Sequence, residues 1–234
     1  MAFRREWWRL VLGLVAFSIA FGYLEAAVVV YLRGLYTPVR MHFYPTISAA
    51  DLFPLITPEQ LSSLGGEHML RLKTELGREL ATLVMLAGVA VVAARTLREW
   101  VAAFVVCFGV WDIVFYLSLK LLIGWPGSLL TWDILFLLPV PWVGPVLAPV
   151  LVSISMIVAG LIVLWREYNR QAVVIQRGWW ATILLGGLII IAAFIWDFGS
   201  TMRGGKPVAF NWPLFSLGEF VGLGGFAKAL RSRR

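Results

Sequence analysis

Three carboxylates stand where the surrounding sequence is almost wholly apolar. Phe21-Gly22-Tyr23-Leu24-Glu25 and Phe108-Gly109-Val110-Trp111-Asp112 share the pattern Phe-Gly-x-apolar-acid. Phe194-Ile195-Trp196-Asp197 repeats the Trp-Asp ending with its Phe one residue closer. A carboxylate at the centre of a membrane-spanning helix costs about 2.5–3.5 kcal/mol on insertion scales. Each must therefore be paired, protonated, hydrogen-bonded or hydrated. Tyr116 and Lys120 follow Asp112 at one and two helical turns, so a polar stripe runs along the face that carries the acid.

A second group of acids lies near the ends of apolar runs: Glu79 beside Arg78, Asp133 in a Pro-rich apolar stretch, and Glu219 in the last apolar segment. Taken together, Glu25, Asp112, Asp197, Glu79, Asp133 and Glu219, bridged by Arg78 and Lys120 with Tyr116, describe one carboxylate-lined chamber in the outer half of a helix bundle. Such a chamber would bind a cation, relay protons or hold a small solute. His68, Glu75 and Glu79 share a helical stripe and form a weak candidate metal set. The competing reading of that stripe is a solvated face ion-paired to Arg71 and Arg78. For Asp133, Asp197 and Glu219 the competing reading is structural, a helix cap or an indole contact.

The elements that would position these groups follow from composition. The 234 residues are 60% hydrophobic and 14% charged, against about 25% charged in a soluble domain. The fold class expected is an all-α integral membrane protein of about six transmembrane helices, in one membrane domain over 1–234. Spans are expected near 10–32, 81–94, 100–123, 143–165 and 179–198, with a marginal sixth over 208–227. Residues 33–66 read as a polar extracytoplasmic loop. Within it Thr57-Pro58-Glu59-Gln60 carries a helix start and Gly65-Gly66 a stop. The stretch 124–142 is too apolar for a water-exposed loop, and a re-entrant or interfacial helix near 128–138 is expected there. The shared acid motifs raise a parallel internal repeat of three two-helix units, 1–94, 95–177 and 178–234.

Basic clusters orient the chain. Arg4, Arg5 and Arg9 precede the first span, Arg95 and Arg98 lie between the second and third, and Arg166, Arg170 and Arg177 between the fourth and fifth. Lys228, Arg231, Arg233 and Arg234 end the chain. With six spans all four clusters share one side, which puts both termini in the cytoplasm of a bacterial or archaeal cell. The formal charge of +7 is absorbed by that pattern, and no basic stripe interleaved with aromatics suggests nucleic acid.

Several chemistries find no support. Cys107 is the one cysteine, which excludes an intrachain disulfide. His42 and His68 are the only histidines, and both lie before the second span, which argues against haem held between spans. Phosphate-loop and nucleophile-elbow motifs are absent, and Ser153 and Ser155 have no histidine near them in sequence. Three functions stay in play. The first, and favoured, is a small transporter or channel-like protein using Glu25 and Asp112. The second is a membrane enzyme acting on a lipid or quinone through Glu79, Asp133 and Arg78. The third is a non-catalytic subunit of a larger membrane complex or homo-oligomer. The bilayer is the partner common to all three.

Overall fold

The computed structural model describes residues 3–48, 51–169, 171 and 175–231, with the backbone alone for 3–6. Of the basic residues singled out above, Arg170, Arg233 and Arg234 lie outside the described residues, as do the side chains of Arg4 and Arg5. In chain order the elements are α1 (Phe3–Phe43), α2 (Pro58–Ser63), α3 (Gly66–Ala93), α4 (Leu97–Ile123), β1 (Trp132–Phe136), β2 (Trp142–Pro145), α5 (Leu147–Tyr168), α6 (Arg177–Phe194), α7 (Phe198–Met202) and α8 (Trp212–Arg231). Among the described residues, five helical segments are long and apolar enough to cross a membrane: Trp7–Phe43, Gly66–Ala93, Leu97–Ile123, Leu147–Tyr168 and Arg177–Met202. Length and composition are those of an integral membrane protein. Glycines, Glu219 and Lys228 keep α8 out of that group.

Two expectations are corrected. Residues 33–43 are not loop but the continuation of α1, which runs for 41 residues, about 60 Å at 1.5 Å per residue. The stripe Arg33, Tyr36, Thr37 and Arg40 recurs every three or four residues and lines a cavity, so packing carries the helix on through Pro38. Arg40 is buried and donates from Nη2 to Ser48 O at 3.1 Å.

The second correction concerns 128–138, which forms no helix. Trp132–Phe136 pairs antiparallel with Trp142–Pro145, in the register Asp133 to Gly144 and Ile134 to Val143. Pro139 and Pro141 forbid a helix running on from Leu138, and Trp132, Ile134 and Phe136 are residues that favour strands. An isolated two-stranded hairpin is marginal. This one is wedged into the bundle: Phe136 stacks on Phe108 and meets Trp142 edge-on, and Trp142 stacks on Phe194.

Local signals elsewhere act as the sequence expects. Thr57 Oγ1 accepts from Gln60 N at 3.3 Å while Gln60 Oε1 accepts from Thr57 N at 2.9 Å, a complete capping box with Pro58 in the first turn. Gly65, at φ +107°, separates α2 from α3. Gly124, at φ +70°, ends α4.

Close glycine contacts set the packing. A Cβ on Gly22 would lie 2.7 Å from Trp111 O, and one on Gly109 would lie 2.6 Å from Ser153 O. The glycines of the two Phe-Gly motifs thus bring α1 against α4 and α4 against α5. With Cys107 beside Leu14 and Gly22 beside Trp111, α1 and α4 run parallel, whereas Gly160 against Ala102 makes α4 and α5 antiparallel. Gly186 meets Gly218 and Gly222, and Gly225 meets Thr182, so α8 runs antiparallel along α6. One end of the bundle gathers basic groups: Arg98 pairs with Glu167 at 3.2 Å, Arg166 donates to Leu230 O at 3.2 Å, and Lys228 lies over Trp179. The hairpin and α2 lie toward the other end.

Candidate functional site

A chamber of about 310 Å³ opens between α1, α3 and α4, lined also by the hairpin and by Asp51, Leu52, Leu55, Ile56 and Leu61. Glu25, Arg33 and Arg40 of α1, Glu75, Arg78 and Glu79 of α3, Asp112 and Tyr116 of α4, and Asp133 of β1 all line it. Its remaining wall is largely apolar, from Val29, Leu32, Leu52, Phe115 and Phe136 among others. Glu25 and Asp112, read as related positions on separate helices, therefore converge.

At the inner end, Arg78 ion-pairs with Glu25 across the α1–α3 boundary and with Glu75 one turn back on its own helix. Its Nε lies 3.0 Å from both Glu75 carboxylate oxygens. Thr82 Oγ1 donates to Glu25 Oε2 at 3.3 Å. Arginine suits this place because its planar fork bridges two carboxylates at once. Glu79 is held otherwise: both of its oxygens accept from the backbone N–H of Leu137, at 2.9 and 3.1 Å. That N–H follows the end of β1, where the ladder gives it no partner, and a carboxylate supplies a charge-assisted bond.

Asp112 is buried at 7% exposure and its Oδ2 accepts from Ser153 Oγ on α5 at 2.8 Å. Tyr116, one turn on, donates to Asp133 Oδ2 at 2.8 Å and so ties α4 to the hairpin. Burial pushes the Asp133 carboxyl up to about 6, against the opposing pull of the Tyr116 hydroxyl and the nearby Arg33 charge. Arg33 itself lies over the Trp125 ring, 3.9 Å from its centroid. Its buried Nε has no hydrogen-bond acceptor among the described residues.

Other sequence candidates fall elsewhere. Asp197 is exposed at the turn between α6 and α7, where its carbonyl accepts from Thr201. Of the three motif acids, Glu25 and Asp112 line the chamber and Asp197 does not. Lys120 is exposed and donates to Gly124 O and Pro126 O, at 3.2 and 2.8 Å, which caps the end of α4. His68 does not reach the chamber that Glu75 and Glu79 line, and among the described residues no group of three His, Cys, Asp or Glu is placed to hold a metal ion. Glu219 accepts from Ser155 Oγ at 3.0 Å and lines a second cavity of about 260 Å³ between α4, α5, α6 and α8. That cavity is almost entirely apolar and shares no lining residue with the chamber.

Sequence reasoning missed Arg33, Arg40, Thr82 and Ser153. Arg33 falls in the stretch read as a polar loop, eight positions after Glu25. Ser153 was read as a nucleophile without a histidine, when its hydroxyl serves a carboxylate 41 residues away. No protein-family model, no curated protein and no solved structure matches this chain.

Proposed function

We propose that this is a transporter or channel-like membrane protein, whose chamber binds a cation, proton or small solute and passes it across the bilayer. The observation that carries the reading is the meeting of Glu25, Glu79, Asp112 and Asp133, from four different elements, in one chamber. Six carboxylates line the chamber (Glu25, Asp51, Glu75, Glu79, Asp112 and Asp133) against three arginines (Arg33, Arg40 and Arg78), a balance that favours a positively charged guest.

In this reading α8, lying antiparallel along α6, is the sixth crossing. The basic end of the bundle faces the cytoplasm by the positive-inside rule, and the chamber occupies the outer half. The hairpin then forms the outer wall, its irregular backbone supported at that depth by the Glu79 carboxylate on the Leu137 N–H and its Asp133 side chain by Tyr116.

The test is flux through purified protein in liposomes, under imposed gradients of protons, sodium ions and an alkylammonium ion. The wild type should dissipate at least one gradient, and Asp112→Asn, isosteric and still able to accept from Ser153, should abolish that flux while leaving the unfolding midpoint near the wild type. Wild-type flux in Asp112→Asn, or no flux of any of the three in the wild type, overturns the reading.

A further inference from the structure

Arg33 and Asp112 both line the chamber without an ion pair within 4 Å among the described residues, and the charge nearest to acting on Arg33 is that of Asp133. Arg78 is shared between Glu25 and Glu75, and Glu79 is taken by a backbone N–H. Arg33, by contrast, has no ion pair within 4 Å among the described residues; its guanidinium lies on an indole face and its Nε lacks an acceptor. Asp112 likewise accepts from a serine hydroxyl and pairs with no cation among the described residues. Leaving a buried donor unpaired costs about 1–3 kcal/mol, more for a charged group.

The two lie at different levels of one cavity. Asp112 stands one turn, about 6 Å, from Tyr116 along α4. The Tyr116 ring is 6.3 Å from Trp125, the ring that carries Arg33. Val29, Leu32 and Phe115 line the chamber with them, as do Tyr116 and Asp133.

Building on the solute-binding reading above, we propose that the chamber takes a zwitterion: an ammonium group at Asp112, a carboxylate or phosphate at Arg33, and a short apolar spacer along the chamber's apolar wall. The guanidinium offers its fork and Nε–H to the anion, and Trp125 fixes the plane of that fork. The carboxylate of Asp112 accepts from the ammonium while Ser153 orients it. A simple cation would leave the Nε–H of Arg33 without an acceptor, and a simple anion would leave Asp112 facing its own charge.

The experiment is calorimetric titration of the whole protein in phosphatidylglycerol nanodiscs with three probes. These are 6-aminohexanoate, pentylamine (the same molecule without its carboxylate) and hexanoate (without its ammonium). The zwitterion should bind about ten-fold or more tighter than either half, the equivalent of one charge-assisted contact. Arg33→Gln should bring 6-aminohexanoate down to the pentylamine level while pentylamine binding stays, which also shows that the variant is folded. Arg33→Lys should recover part of the preference. Equal affinity of pentylamine and 6-aminohexanoate for the wild type overturns the zwitterion but leaves the cation-binding chamber standing. Failure of both to bind overturns the chamber reading itself. Discs containing phosphatidylethanolamine separate the sources of this chemistry: competition with 6-aminohexanoate marks a lipid headgroup, and unchanged binding marks a free solute, either of which supports the class.

Discussion

Replacing Arg78 with methionine should be the most damaging single change at the inner end of the chamber, and more damaging than removing its partner Glu25. Arg78 is about one-fifth exposed and pairs with two carboxylates that are 10% and 14% exposed, while Glu79 lines the same cavity. Deleting the cation leaves these acids facing one another without compensation. Breaking a buried pair in this way costs about 3–5 kcal/mol. Glu25→Gln leaves Arg78 its bond to Glu75 and leaves an amide oxygen to accept from Thr82, so the loss is that of a hydrogen bond to a charged group, about 1.5–3 kcal/mol. The double variant Glu25→Gln/Arg78→Met should recover part of the single Arg78→Met loss, because one of the stranded charges is gone. Denaturant-induced unfolding in mixed micelles, followed by the fluorescence of the 12 tryptophans, measures all three. Glu25→Gln costing as much as Arg78→Met would refute the asymmetry, and so would a double variant no more stable than Arg78→Met.

Asp133 should make stability fall as pH rises. Its folded value of about 6 lies above the unfolded value of about 3.9, so the folded state holds the extra proton between those limits. The carboxyl thus costs nothing below about pH 4 and its full penalty, about 3 kcal/mol, above about pH 6. Stability profiles of the wild type and Asp133→Asn should diverge across that window, and parallel profiles would count against the assignment. Glu79→Ala should speed hydrogen exchange at the Leu137 amide about 10- to 100-fold, as expected for loss of a charge-assisted bond; an unchanged rate would mean that the carboxylate does not hold the hairpin. A Cβ on Gly186 would lie 2.5 Å from Gly222 N, whereas one on Gly187 would meet nothing within 4 Å. Gly186→Ala should therefore cost about 1–3 kcal/mol and Gly187→Ala little, with equal midpoints for the two as the contrary result.

What was legible in the sequence was what periodicity and cost can carry. A carboxylate in an apolar run is expensive wherever it points, so Glu25 and Asp112 could be singled out without knowing the fold, and their shared Phe-Gly prefix reported two close helix contacts. The capping box at Thr57 was readable because its bonds join residues three apart. The hairpin was not, because an apolar run of strand length looks the same in a helix and in a strand, and its register rests on Glu79 and Tyr116, 58 and 17 residues from the groups they hold. Helix α1 outran its expected end for a related reason. The polar residues after Leu32 resemble a loop until it is known that Arg33, Thr37 and Arg40 face a polar cavity, not lipid. Asp197 shows the opposite error, a motif match in the wrong environment.

The same geometry narrows where function resides. A hairpin brings unpaired backbone groups into an apolar bundle, and buried acids bring unpaired charge; each supplies what the other lacks. Glu79 is accounted for by the Leu137 N–H, Asp133 by Tyr116, and Glu25 by Arg78 and Thr82. These carboxylates have structural duties whether or not anything binds. Asp112 differs from Asp133, which has the Arg33 charge nearby: buried at 7% exposure in the same chamber, it has one neutral hydrogen bond from Ser153 and no cation beside it among the described residues. A hydroxyl partner orients a carboxylate without neutralising it, so Asp112 meets its charge requirement only by taking a proton or a cationic guest. That places the test of function on the Asp112–Ser153 pair. The Arg78 cluster beside it tests the architecture, and the two sets of variants should separate, one lowering binding at constant stability and the other lowering stability first.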